Sequence, residues 1–231
     1  MNILITRPLI DAEDIMGKLF SLGHKIIHIP TLKILPKNTD PINENDYDAF
    51  IFTSTNAIRN LKVKKNDKTK LCFCVGAITE KLARMKGYNN TISAGGTVNA
   101  LKNLIINSKQ LTKNSKIAYF CGDHITFDLE TELKEEGLSL KKVVNYTSEK
   151  ITDLNEESKK IILRHPPDII FVYSTRSAQS FIAITKNYSL HTLMTESKVM
   201  CISSKVLVEF KKAGWKNLEI FGPGEELLKI E

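Results

Sequence analysis

The sequence predicts an α/β protein built as two similar parallel-sheet lobes, and three observations carry that prediction. Short apolar runs alternate with amphipathic stretches, the pattern of strands joined by crossover helices. Several strand–helix units occur twice in the same order. The 231 residues are long for one compact α/β domain and sufficient for two of roughly 110 residues each.

In chain order, Asn2–Ile5 reads as a strand and Asp11–Leu22 as a helix with Gly23 as its C′ residue. His24–Ile29 follows as a strand stopped by Pro30. The same unit returns as strand Lys116–Phe120, helix Ile125–Glu136, Gly137 and strand Leu140–Tyr146. A second kind of unit also recurs. Ala49–Ile58 (AFIFTSTNAI) parallels Ile169–Ala178 (IIFVYSTRSA), an apolar strand, Ser-Thr and the start of a helix. Leu71–Gly87 parallels Val199–Gly214, a strand and a helix ending in glycine. Asn90-Thr91-Ile92 running to Gly95-Gly96 parallels Leu218-Glu219-Ile220 running to Gly222-Pro223-Gly224. These copies stand roughly 120–128 residues apart, so the units follow the order A, B, A, B.

The connectors predict how the units associate. Only Asn107–Ser115 separates the first B from the second A, and short loops join neighbours within a domain. Pro30–Tyr47 and Thr147–Pro167 are long and carry Pro30, Pro36, Pro41, Pro166 and Pro167. The expectation is a contiguous lobe over residues 38–147 and a discontinuous lobe of residues 1–32 with 150–231. Extended linkers near 31–37 and 147–152 then lie side by side, with a substrate cleft at the junction.

Hydrophobic residues make up 42% and charged residues 26%, an ordinary globular balance. No apolar run approaches the ~20 residues of a membrane span, and Met1–Arg7 does not read as a signal peptide, so a cytoplasmic protein is expected. A net charge of +7 admits a nucleic-acid binder, a partner for acidic metabolites, or a basic proteome. The densest lysine patch, Lys62, Lys64, Lys65, Lys68 and Lys70, has no interleaved aromatic residue and reads as a solvated turn. Cys72, Cys74, Cys121 and Cys201 fall in strand-like runs without metal-ligand spacing, which makes them buried reduced thiols. No metal or cofactor is expected.

In open parallel sheets, ligands gather beyond the carboxyl ends of the strands. Those ends carry Thr6-Arg7-Pro8, Thr53-Ser54-Thr55, Gly76 with Thr79, Gly95-Gly96-Thr97, Gly122, Ser174-Thr175 and Ser203-Ser204. Such residues either cap helices or let an anionic ligand approach backbone N–H groups. An array of them favours a ligand with several anionic groups. There is no Walker A sequence, no Gly-x-Gly-x-x-Gly after the first strand and no Gly-x-Ser-x-Gly elbow.

These residues resemble the uroporphyrinogen-III synthase family. The resemblance rests on Thr6-Arg7-Pro8, Phe52-Thr53-Ser54 with Asn56-Ala57, and Val75-Gly76 with Thr79. It continues through Gly122 ahead of a helix with Leu129, Leu133 and Gly137, then Val144-Asn145-Tyr146. Each motif is short, but they keep the family's order from Ile3 to about Leu228. The implied fold is two α/β lobes of flavodoxin-like strand order, the first discontinuous, joined by a two-stranded linker. Two departures stand out. Ser203 replaces a glycine, and Asp123-His124-Ile125-Thr126 stands where the family often has an arginine, with His124 as a partial replacement.

The resemblance implies a cofactor-free, monomeric lyase of tetrapyrrole (haem) biosynthesis acting on hydroxymethylbilane. Such an enzyme removes water, inverts the last pyrrole ring and closes uroporphyrinogen III. Implied substrate-binding residues are Arg7, Thr53, Ser54, Asn56, Gly76, Thr79, Gly96, Thr97, Gly122, His124, Ser174, Thr175, Ser203 and Ser204. Departure of hydroxide needs a proton or hydrogen-bond donor. Tyr146 is the candidate, a phenol protonated near neutral pH, and the alternative is a ring that only packs against the linker. A non-catalytic sensor of anionic ligands and a basic nucleic-acid-binding protein are the competing readings.

Overall fold

The computed structural model describes residues 1–64, 68–125 and 127–230. Lys65 of the lysine-rich turn and Thr126 of the expected helix Ile125–Glu136 lie outside the described residues. The chain divides into two compact units, Met1–Lys33 with Glu149–Glu231, and Ile34–Ser148.

Its elements are β1 (Asn2–Ile5), α1 (Leu9–Ser21), β2 (Lys25–His28), β3 (Leu32–Pro36), β4 (Ala49–Phe52), α2 (Thr55–Arg59) and β5 (Leu71–Cys74). There follow α3 (Ala77–Met85), β6 (Thr91–Ser93), α4 (Val98–Ile106), β7 (Lys116–Gly122), α5 (Leu129–Glu135) and β8 (Ser139–Lys150). The chain continues with α6 (Glu156–Arg164), β9 (Ile169–Val172), α7 (Thr175–Asn187), α8 (His191–Met194), β10 (Lys198–Cys201), α9 (Ser204–Lys212) and β11 (Leu218–Ile220).

The first unit holds a five-stranded sheet in the order β11-β10-β9-β1-β2, every pair parallel. Numbered by chain order within the unit, this is the 2-1-3-4-5 order of flavodoxin-like sheets. The second unit holds β3-β8-β7-β4-β5-β6. Leaving aside β3, its parallel strands stand in the same spatial order, but the chain enters at β4 instead of at β7. The second sheet is thus a circular permutation of the first, as the A, B, A, B order of units requires.

Both faces of each sheet are covered, which is why its strands are continuous apolar runs. In the first unit Leu4, Ile170, Val172, Val199 and Cys201 pack with Ala178, Phe181 and Phe210. The alternate positions Ile3, Ile5, Ile169, Phe171 and Met200 pack with Ala12 and Leu19 of α1. In the second unit Ile51, Phe73, Tyr119 and Cys121 face Leu101, Ile105 and Leu133. Phe50, Phe52, Ala118 and Phe120 face Ala57, Ile58 and Tyr88, and the Phe52 and Phe120 rings stack 5.4 Å apart.

The connectors are more ordered than their composition predicts. Within Thr147–Pro167 the structure places α6, nine residues with Ile162 buried. The Asn155 side chain caps it by accepting from the Ser158 N–H at 2.7 Å, with Glu156 and Glu157 in its first turn and Arg164 in its last. Two prolines beside a polar stretch hid a helix with ordinary end signals. In Pro30–Tyr47 the residues Leu32–Pro36 form β3, and β8 runs on past Tyr146 to Lys150 beside it. Lys37 N–H donates to the Asn145 carbonyl and Ile151 N–H to the Thr31 carbonyl, the reversed numbering of an antiparallel pair. The α5 helix starts only at Leu129, where Asp128 caps it by accepting from Thr131 N–H at 3.2 Å.

All four cysteines are buried thiols. Burial pushes the thiols of Cys74 and Cys201 up to about 12 and that of Cys121 up to about 11, with Glu80 adding to the effect at Cys74 and Lys142 opposing it at Cys121. A thiol whose pKa is raised on folding contributes stability below its unfolded value and loses it as pH climbs. Stability to urea should therefore fall as pH rises from about 9 towards 12, measured by denaturation midpoints. At pH 8 a thiol-reactive chromophore should label all four only after urea is added.

Candidate functional site

In each sheet the strand order reverses at one place, and ligands of open α/β sheets bind outside the carboxyl ends of the strands there. In the second unit that place is the β4–β7 pair, where Phe52 stands opposite Phe120. Chain leaving β4 presents Thr53 and Ser54, and the Thr53 hydroxyl shares a 3.2 Å hydrogen bond with the Tyr119 hydroxyl of β7. Burial pushes the Tyr119 phenol up to about 12, against the opposing effect of the Thr53 bond, so it stays protonated at physiological pH.

β7 ends at Gly122, and Tyr146 lies directly over it. A Cβ at position 122 would come within 2.8 Å of the Tyr146 ring, closer than real contacts allow, so only glycine admits the ring. A β-bulge aims it there. Cys121 pairs with Val144, but Gly122 pairs with Tyr146, leaving Asn145 as the extra residue. Val143 and Val144 pack on opposite faces of the sheet, and Tyr146 joins Val143, although strict alternation would send it with Val144. The displaced Asn145 is buried and donates its amide to the Ala57 carbonyl at 2.7 Å, which anchors the bulge to α2.

Further along the same carboxyl edge two glycines meet. A Cβ on Gly76 would stand 3.3 Å from the Gly96 Cα, and Gly96 itself has φ +104. Gly96 N–H donates to the Val75 carbonyl at 2.7 Å, which folds the loop after β6 against the start of α3. Thr97 and Ser54 are helix caps, accepting from Ala100 N–H and Asn56 N–H at 3.1 Å each. A hydroxyl that accepts in this way still carries one O–H donor. Thr79 is buried in α3, and the buried Asn56 amide accepts from Arg59 at 3.0 Å, so this pair serves the local structure.

Asp123 and His124 follow Gly122. The Thr147 hydroxyl donates to the Asp123 carboxylate, and His124 Nε2 stands 3.9 Å from it. Burial raises the Asp123 carboxyl, but Thr147, His124, the Ser148 N–H and Lys37 outweigh it and hold the group below its ordinary range. The half-exposed His124 thus sits beside an ionised carboxylate, a neighbour that the sequence reading did not weigh.

In the first unit the order reverses at β1–β9. Thr6 donates to the Phe171 carbonyl at 2.8 Å across that pair, and a His28 ring nitrogen stands 2.8 Å from the Arg7 carbonyl. The Arg7 guanidinium lies 4.2 Å above the centre of the Tyr173 ring. Ser174 caps α7, accepting from Ser177 N–H at 3.0 Å, and Thr175 is the first helical residue. Ser203 precedes α9 with φ −163, extended backbone that any residue adopts, so its place in a glycine position carries no strain. Ser204 begins that helix. The candidate residues therefore fall into two sets, Arg7, Ser174, Thr175, Ser203 and Ser204 in one unit and the rest in the other.

A family model described as uroporphyrinogen-III synthase HemD matches residues 13–220. The chain belongs to the uroporphyrinogen-III synthase family. It is accordingly an enzyme of tetrapyrrole biosynthesis, a cyclising lyase. Its fold resembles solved family structures. It is similar to uroporphyrinogen-III synthetase from Helicobacter pylori 26695, with TM-score 0.63 and 15% identity, covering 100% of this chain and 99% of that one. It is also similar to a mutant uroporphyrinogen III synthase from the extremely thermophilic bacterium Thermus thermophilus, with TM-score 0.58 and 15% identity, covering 100% and 95%. A comparison with curated proteins returned no match. Among the described residues no group of three or more His, Cys, Asp or Glu side chains is placed to hold a metal ion, and no helix is long and apolar enough to cross a membrane.

The sequence reading missed Tyr119, Tyr173, Glu226 and the bulge residue Asn145. Only the family motif Val144-Asn145-Tyr146 pointed towards the last. Gly122→Ala should expel the Tyr146 ring and destabilise the protein by about 1–3 kcal/mol, the usual range for overpacking. In a Tyr146→Ala background, itself weakened by loss of the ring, Gly122→Ala should cost little more, because the clash then has no partner. Urea denaturation of these variants measures both effects.

Proposed function

We propose that this chain binds hydroxymethylbilane through its carboxylates and assists loss of its hydroxyl from Tyr146. The observation that carries the reading is the Tyr146 ring held over Gly122 by a bulge, at the carboxyl edge beside the β4–β7 reversal. A β-bulge and a glycine that admits only this ring are devices that aim a side chain. Packing alone would not require them.

The substrate supplies much of the reactivity. Its C–O bond breaks, the hydroxyl leaves as water with a proton from the donor, and a pyrrole-stabilised cation remains. Carbon–carbon bond formation at the substituted end of the last ring makes a quaternary centre. The bond from that carbon to the preceding methylene bridge then breaks, and the freed bridge carbon bonds to the ring's unsubstituted end. Loss of the proton there restores the balance as net loss of one water. The protein's part is to hold a flexible chain so that this carbon is the one attacked, an orientation task. Backbone N–H groups at Gly76 and Gly122, the hydroxyls of Thr53, Ser54, Thr97, Ser174, Thr175, Ser203 and Ser204, and the cationic Arg7 suit carboxylates. Gly96 spends its own N–H on Val75 and serves by keeping the edge open. Asn56, Thr79 and His124 complete the proposed set, the first two by shaping it. The same reading makes the protein a cytoplasmic monomer that works without cofactor or nucleic acid.

Purified protein given freshly made hydroxymethylbilane should yield the type III isomer, with chelator present or absent, as resolved by chromatography of the oxidised products. Only the non-inverted isomer, as in a blank, would sink the assignment. Tyr146→Phe keeps the ring and should lower kcat roughly 10²-fold with an unchanged melting temperature. Turnover at the wild-type rate would reduce Tyr146 to a packing residue.

A further inference from the structure

In the first unit, the β1–β9 reversal carries a cation whose surroundings are built. The Arg7 carbonyl is held by His28, its neighbour Thr6 is tied to the Phe171 carbonyl, and its guanidinium lies on the face of Tyr173, 4.2 Å away. Tyr173 is in turn fixed by an edge-to-face contact with the buried Phe221, ring centres 5.5 Å apart. Phe221 opens the segment after β11. There the Glu225 carboxylate accepts from Gly222 N–H at 2.7 Å, an approach that a Cβ on Gly222 would block at 2.8 Å. That turn leads the chain into Glu226, which is only 5% exposed and stands 4.0 Å from an Arg7 nitrogen.

This distance is decisive. A guanidinium carries five N–H donors, and at 4.0 Å Glu226 neutralises charge without taking a hydrogen bond. Among the described residues no hydrogen bond from the Arg7 guanidinium is present, and 32% of its side chain is exposed. A ring face attracts a guanidinium but consumes none of its in-plane donors. Burial, and then the charge of Glu226, hold the Tyr173 phenol far above its ordinary value, so the ring stays neutral.

We infer that Arg7 is a carboxylate subsite of the first unit, and that Tyr173 and Glu226 are positioning residues that stack and neutralise its guanidinium while leaving its donors for one carboxylate of a polycarboxylate ligand. This rests on the reading of the chain as a bilane-binding enzyme, and it extends that reading to two residues outside the family motifs. A planar fork of donors over a fixed ring favours bidentate capture of a carboxylate, which an ammonium cannot reproduce.

The test compares steady-state kinetics on hydroxymethylbilane with calorimetric binding of benzenehexacarboxylate, a rigid polycarboxylate probe. Arg7→Gln alone strands the buried Glu226 charge, so Arg7→Gln/Glu226→Gln is used, which also leaves net charge unchanged, with its fold checked by circular dichroism. We expect about tenfold weaker probe binding and about tenfold higher KM, the scale of one charge-assisted contact at a partly exposed site, with the loss falling on KM and not on kcat. Tyr173→Leu should give a similar loss, Tyr173→Phe should restore KM to within about twofold, and Tyr173→Leu should add nothing once Arg7 is gone. An unchanged KM and unchanged probe binding in the double variant overturn the inference, as does a full further loss from Tyr173→Leu in its background. If the wild type fails to turn over bilane yet binds the probe through Arg7, the enzymatic reading falls and the subsite stands.

Discussion

The first unit depends on one parallel pairing, β1 against β9, with Ile3 opposite Ile169 and Ile5 opposite Phe171. Asn2 and Asp168, 166 positions apart, lock its start, since Asn2 N–H donates to the Asp168 carboxylate at 2.6 Å and Asp168 N–H to the Asn2 carbonyl at 2.8 Å. Without this pairing β1 and β2 would be a two-stranded fragment with one helix, too small to be stable alone. Closing so long a loop costs little more than closing a moderate one, because the entropy grows only with the logarithm of length. The segment in between also folds around its own cores, which shortens the effective loop.

The same pairing marks the strand-order reversal of the first sheet, as β4–β7 does in the second. A parallel sheet whose strand order reverses leaves a crevice at the carboxyl ends of the two central strands. Arg7 and Ser174 emerge there in one unit and Thr53, Ser54 and Gly122 in the other, with the remaining candidates further along the same edges. The permutation preserves the crevice, since it changes where the chain enters and not which strands are neighbours. What differs is the side chains. One crevice offers a stacked cation at Arg7, and the other offers hydroxyls at Thr53 and Tyr119 and the Tyr146 ring over Gly122.

Close packing explains why small residues recur at these edges. Gly122 yields its volume to a phenol ring, Gly76 yields to the backbone of Gly96, and Gly222 yields to the carboxylate that turns the chain towards Glu226. In each case the absent side chain is occupied by another part of the fold. Ser203 stands in extended backbone, where a side chain meets no such conflict.

By itself the sequence determined the strands, most helices and the duplicated units. Each is set by neighbours in the chain: apolar runs at Ile3–Ile5 and Ile169–Val172, caps at Ser54 and Ser174, and glycines that end helices at Gly23, Gly87, Gly137 and Gly214 with φ between +82 and +101. The helix α6 was also legible, through Asn155 and the acidic first turn, but its prolines drew the reading towards a linker. Tertiary structure alone decided that Tyr146 faces Phe50 and Phe120 instead of the opposite core, because a one-residue bulge reverses the alternation and no local pattern announces it. It alone joined Arg7, Tyr173 and Glu226, which lie far apart in sequence. Their meeting follows from strand register and from a turn after β11, and register is a property of paired backbones that a single segment does not carry.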